Sequence, residues 1–133
     1  MAQCRFSPYA WLMALRLYHL VIHASDPGSL ARFWAAVLEH DILEEDEEGA
    51  IVGADDRSYP GLWFLRVPEA KTTKNRLHID LDPDDFDAEV DRLLRLGAVH
   101  ADVGQGTDVS WVVLADPEGN EFCVLRPRRT LIS

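Results

Sequence analysis

The sequence predicts an α+β domain built from two tandem βαβββ modules whose curled, mixed sheets surround a shared cavity. Three observations predict it. The order strand, helix, three strands occurs twice along the chain, and each helix carries one wide apolar stripe. A single offset of 59 residues also carries His19 onto His78, and the segment Gly61–Pro68 onto Asn120–Pro127. An internal repeat of this kind outweighs any single motif as a guide to architecture.

Leu15–Ala24 (LRLYHLVIHA) is rich in β-branched and aromatic residues and stops at Ser25-Asp26-Pro27-Gly28, the pattern of a strand that runs into a helix start. Ser25 or Asp26 can accept from the orphan N–H groups of the first helical turn, and Pro27 suits that turn. Leu30, Phe33, Trp34, Val37 and Leu38 then recur at helical spacing. Three short strands follow at Ile42–Glu45, Ala50–Ala54 and Gly61–Val67. After a basic connector, Pro68–Lys74, the pattern restarts. Asn75–Leu81 reads as a strand, and Asp82-Pro83 opens a helix with Phe86, Val90, Leu93 and Leu94 on its apolar face until Gly97 ends it. Ala98–Val103, Val109–Ala115 and Asn120–Arg126 complete the second set of strands. The helix ends, Leu38 and Leu96, fit an offset of 58, so one residue of length separates the modules.

Composition narrows the function classes. The chain has 133 residues, with 13 Lys+Arg against 23 Asp+Glu for a formal charge of −10, and 47% of its residues are apolar. That is enough for one globular domain with a real core. A carboxylate-rich surface repels phosphate backbones and anionic lipid, so neither nucleic acid nor a membrane is an expected partner. Glu39–Glu48 and Asp80–Asp91 together hold 14 of the 23 acids, read as solvated surface and helix-start charge. Only two cysteines occur, Cys4 and Cys123, far apart and without C-x-x-C spacing, which fits a reducing cytoplasm. The apolar stretch Tyr9–Ile22 is broken by Arg16 and His19 and falls short of the roughly 20 residues a membrane span needs. Residues 1–14 are expected to be an extension outside the core, residues 15–127 one domain with modules 15–68 and 75–127, and residues 128–133 a tail.

Strand alternation predicts which residues line the cavity. If His19 and His78 face inward, so do Val21 and His23 on the first strand and Asp80 on the fifth. The offset of 59 pairs Phe64 with Cys123. On that alignment Leu62, Phe64 and Arg66 form one wall, Glu121 and Cys123 the other, and Trp63, Phe122 and Val124 pack under the helices.

The segments His19…Asp26, LARFWAAVL (30–38), RLHID (76–80) and DPEGNEFC (116–123), in this order and spacing, resemble the vicinal-oxygen-chelate superfamily, and within it the glyoxalase-like and bleomycin-resistance-like domains. The resemblance covers residues 15–127. It implies the glyoxalase/bleomycin-resistance/dioxygenase fold, with paired βαβββ modules each forming an incomplete barrel, and a homodimer as the expected assembly. It also implies metal ligands on the first, fourth, fifth and eighth strands, positions held here by His19, Phe64, His78 and Cys123. Two imidazoles and a thiolate suit Zn²⁺ with an open fourth position. A hard magnesium or manganese site, which requires several oxygens, is disfavoured.

Fold alone does not choose between the activities of such a superfamily. The leading expectation is a protein that binds a small organic molecule between its modules, as in drug sequestration, with His23, Leu62, Phe64 and Arg66 as contacts and the acidic balance favouring a cationic ligand. The alternative is a metal-dependent lyase or isomerase of the glyoxalase type, with His19, His78 and Cys123 holding the metal and Glu121 or Asp80 moving a proton. A pure interaction module, the third class, predicts a cavity filled by side chains. The plainer readings are that His78 pairs with Asp80 or Glu121 and that Cys123 is a small buried hydrophobe. DPEGN (116–120) is expected to be a hairpin turn.

Overall fold

The aromatic residues at helical spacing in the first half have apolar partners in the second, and a computed structural model, which describes residues 15–101 and 111–126, brings them together. Trp34, only 1% exposed, packs edge-on against Phe33 at 5.4 Å and against Phe122 at 4.9 Å between ring centroids. Edge-to-face contacts at such distances add to the burial of the rings. The same cluster takes in Leu30, Val37, Phe64, Leu93, Leu114 and Val124, so one core serves both modules.

The first module contains β1 (His19–Ala24), α1 (Pro27–Leu38), β2 (Asp41–Glu45), β3 (Gly49–Gly53) and β4 (Gly61–Arg66). The second contains β5 (Asp80–Leu81), α2 (Phe86–Leu96), β6 (Val99–His100), β7 (Trp111–Ala115) and β8 (Glu121–Leu125). Each forms a four-stranded sheet, in the orders β1-β4-β3-β2 and β5-β8-β7-β6, with the first strand parallel to the last. The helices cover one face of the sheets, and the sheets do not close on each other. No helix among the described residues is long and apolar enough to cross a membrane.

Local chemistry explains the helix ends. Asp26 caps α1, its carboxylate accepting from Ser29 N at 3.3 Å, and Pro27 occupies the first turn. Asp85 caps α2 by accepting from Ala88 N at 3.2 Å, and Gly97, at φ 121°, ends it. At the C-terminus of α1 the orphan carbonyls are met from the other module, where Arg92 donates to Ala36 O at 3.0 Å and to Val37 O at 2.8 Å.

Two expectations are corrected by the backbone. The fifth strand, expected over Asn75–Leu81, pairs only at Asp80–Leu81. The orientation of β4 is reversed: Leu62 and Phe64 lie in the core under α1, and Trp63 faces the other way, its ring 5.8 Å from His19. The pairings explain it. His19 is opposite Gly61, so Val21 is opposite Trp63, whereas Asp80, the 59-residue equivalent of Val21, is opposite Cys123. Cys123 therefore corresponds to Trp63 at an offset of 60, and Phe64 to Val124. A one-residue slip exchanges the faces of a strand. Phe122 and Val124 do pack under the helices, as expected.

The predicted extension and tail, the latter from residue 128 onward, lie outside the described residues.

Candidate functional site

The open edges of β1 and of the segment before β5 face each other across a cleft of about 660 Å³. His19, Val21 and His23 form one wall, and Leu77, His78 and Ile79 the other. Trp34, Phe122 and Asp116 make the floor, while Glu69, Ala70 and Lys71 of the connector form a rim. The cleft is open, unlike the filled cavity expected of a pure interaction module.

The floor is organised by the turn DPEGN. Gly119 N donates to Asp116 O at 2.9 Å, with Pro117 as the second residue of the turn and Gly119 at φ 89°, a conformation that favours glycine. The Asp116 side chain, 3% exposed, is fully hydrogen-bonded. Its Oδ2 accepts from Trp34 Nε1 at 3.0 Å, and its Oδ1 from Glu118 N and Asn120 N, each at 2.9 Å. Glu118 reaches back to the start of α1, accepting from Ser25 N at 2.8 Å, Ser25 Oγ at 3.1 Å and Asp26 N at 2.7 Å. The turn is thus a hub that joins the modules as well as a bend. Sequence reasoning gave it only the bend, because no local pattern reveals which distant donors an acid in a turn will meet.

A second clamp holds the connector. Glu121 accepts from Lys71 Nζ at 3.2 Å and from Asn75 N at 3.1 Å, and Asn75 Nδ2 donates to Asn120 Oδ1 at 3.0 Å. Partial burial pushes the Glu121 carboxyl up, but the hydrogen bonds from Asn75 N and its own backbone and the ammonium of Lys71 outweigh it, leaving its pKa below the ordinary value. A carboxylate held ionised with both oxygens engaged is a weak proton acceptor, so these contacts argue against the base role expected of Glu121.

Arg66, expected to line the cavity as a ligand contact, is engaged elsewhere. Its guanidinium donates to Glu47 O at 2.8 Å and Ser25 O at 3.1 Å, and it lines neither cavity. Leu62 and Phe64, expected as ligand contacts, are core residues. His23 does line the cleft.

The structure divides the expected metal ligands. His78 and Cys123 do come together, but with Asp80: one ligand atom from each lies within 4.8 Å of the other two, and His78 Nε2 is 3.2 Å from Asp80 Oδ1. His19 does not join this group; its imidazole lies 4.0 Å from the Tyr18 ring, centroid to centroid. Among the described residues no other His, Cys, Asp and Glu side chains converge this way. The trio opens onto a second cavity of about 360 Å³, walled by Lys74, Trp111, Val113, Glu121 and Leu125. Burial, and then the neighbouring Asp80 carboxylate, push the Cys123 thiol up, so it is not poised as a nucleophile.

Comparison with known proteins agrees with this architecture. The model of the glyoxalase-like domain matches residues 19–125. The chain belongs to the glyoxalase-like domain family, within the vicinal-oxygen-chelate superfamily. A glyoxalase/bleomycin resistance protein/dioxygenase family enzyme from Burkholderia phytofirmans aligns with a TM-score of 0.67 and 18% identity over 86% of this chain and 100% of that one. The trypanothione-dependent glyoxalase I of Leishmania major aligns at 0.64 and 16% identity, over 89% and 90% of the two chains. An antibiotic-binding protein from a Streptomyces species aligns at 0.55 and 18%, over 88% and 99%. No curated protein matches the sequence. At these identities the structural likeness establishes the glyoxalase-like fold alone.

Proposed function

We propose that this glyoxalase-like protein binds a small aromatic or otherwise largely apolar organic molecule in the cleft between its modules, as an antibiotic-sequestering protein does. The carrying observation is the cleft itself: about 660 Å³ of open space with Trp34 and Phe122 at its floor, Val21, Leu77 and Ile79 on its walls, and imidazoles from His19, His23 and His78. Apolar walls with a few polar groups that fix orientation suit a drug-sized ligand. The expectation of a cationic ligand draws less support. Asp116, Glu118 and Glu121 are each tied to internal donors, and Glu69 is the cleft acid outside that network.

The metal-dependent lyase or isomerase reading requires His19 and His78 in one ligand set. The set His19, His78 and Cys123 is not the one that converges, since His78 and Cys123 meet Asp80 and His19 is outside that group, so this reading draws less support. No catalytic step is therefore assigned to a metal between the modules.

Titration of the full chain with a panel of planar aromatic antibiotics, neutral and cationic, tests the proposal through intrinsic tryptophan fluorescence and thermal shift. At least one compound should saturate at one equivalent and raise Tm, and Val21→Arg, which narrows the cleft from an exposed position, should weaken it at least about tenfold. A Val21→Arg variant that folds and binds every hit unchanged would place the ligand elsewhere and overturn the proposal, as would a panel with no hits.

A further inference from the structure

We infer that the second module carries, by itself, a binding site for a borderline-soft divalent cation of the Zn²⁺ class, formed by His78, Asp80 and Cys123. This inference does not rest on the proposed organic ligand, although His78 lines both the cleft and the cavity beside this site. It starts from the disagreement between the ligands expected across both modules and the ligands that meet in one.

Strand geometry explains why these three side chains meet. Asp80 is the register partner of Cys123 on the adjacent strand, and His78, two residues before it, brings its Nε2 to 3.2 Å from Asp80 Oδ1. Cys123 N also donates to Ile79 O at 2.9 Å, tying β8 to the residue before β5 at the level of the site. Asp80 and Cys123 therefore come from paired backbone, and His78 from the unpaired segment just before β5.

Distances and chemistry agree. Zinc bonds of about 2.0–2.3 Å place the donor atoms of a tetrahedral site roughly 3.3–3.8 Å apart. His78 Nε2 and Asp80 Oδ1 are 3.2 Å apart, and all three ligand atoms fall within 4.8 Å of one another, so side-chain adjustments of about 1 Å complete the set. One imidazole, one carboxylate and one thiolate favour zinc over magnesium or calcium, which call for oxygen shells. The adjoining cavity of about 360 Å³ leaves a fourth position open to water or a small ligand. A metal bound with thiolate and carboxylate is charge-neutral, and the half-exposed His78 and Asp80 leave it open to solvent.

The first module serves as an internal control. Where the second has Asp80 opposite Cys123, the first has Val21 opposite Trp63. His19 occupies the position of His78 but lacks both other donors.

The test uses the full chain without an affinity tag, in a Cys4→Ser background so that Cys123 is the sole thiol. Metal is stripped with chelator, and Co²⁺ and Zn²⁺ are then added alone. One equivalent of Co²⁺ should produce a thiolate-to-cobalt charge-transfer band that Zn²⁺ displaces. Asp80→Ala and Cys123→Ser should each weaken Zn²⁺ at least about tenfold, Cys123→Ser should also abolish the band, and His19→Ala should leave both unchanged. Far-ultraviolet circular dichroism checks each variant, and Asp80→Asn, at a half-exposed side chain, keeps the test open if Cys123→Ser fails to fold. Binding that persists without Asp80, or disappears with His19→Ala, would overturn the one-module site, as would absence of stoichiometric binding.

Discussion

The two modules share topology yet differ on the faces turned away from their helices. In the first, β1 pairs over six residues and Trp63 stands beside His19; in the second, β5 pairs over two, and Cys123 and Glu121 hold the positions of Trp63 and Gly61. One side presents a bulky indole, the other a thiol, a carboxylate and open space. The helix-facing positions do not diverge in this way: Leu62 answers to Phe122 and Phe64 to Val124, apolar in every case. A duplicated fold keeps the buried face apolar because both helices must pack on it. Its other face is free to specialise.

The largest effect should come from testing which way β4 faces. Phe64, fully buried, is expected to lose about 3–5 kcal/mol on Phe64→Ala, and Trp63→Ala, at a half-buried site, distinctly less, as measured by urea denaturation. Equal losses, or the reverse order, would break the comparison between the modules. Next comes the dependence of one module on the other. Glu118→Ala removes the acceptor for two backbone N–H groups and one hydroxyl at the start of α1, and should cost about 1–2 kcal/mol in the same assay.

The smallest effect sharpens the contrast between Glu121 and Gly61. Because the folded-state pKa of Glu121 lies below its ordinary value of 4.5, its contribution is present above that value and is lost as pH falls through the depressed one. Glu121→Gln should therefore lower stability at neutral pH by less than about 1 kcal/mol and flatten the loss between neutral and acid pH. Denaturation midpoints at pH 7 and pH 3 measure it. A variant whose acid sensitivity matches the parent's would show that the contacts with Lys71 and Asn75 do not carry that contribution.

Much of the architecture was legible in the chain. The apolar stripe of Leu30, Phe33, Trp34 and Val37 and the signals at Asp26-Pro27 and Gly97 reflect local physics, and both helices form where those signals stand. The repeat showed the paired modules for the same reason. The facing of β4 was not legible, because alternation fixes which residues share a face but an offset between repeats must be right to the residue to say which face it is. Phe64 was misplaced by that single step. The convergence of His78, Asp80 and Cys123 depends on the same register between β5 and β8, which the chain does not state. Arg66 was misread, and the role of Glu118 missed, for another reason: both bind backbone groups of distant segments, and backbone partners leave no trace in residue identity.

The closure of α1 by the second module bears on how the protein is made. Trp34 needs Phe122, which lies 88 residues further on, and the last carbonyls of α1 need Arg92. Synthesis delivers the first module before these partners emerge, so α1 then has its own sheet to pack on but no cover for Trp34 or its last carbonyls. Folding is therefore predicted to be a single late event, after β8 emerges, and nascent chains ending near residue 75 should be protease-sensitive where full-length chains are not.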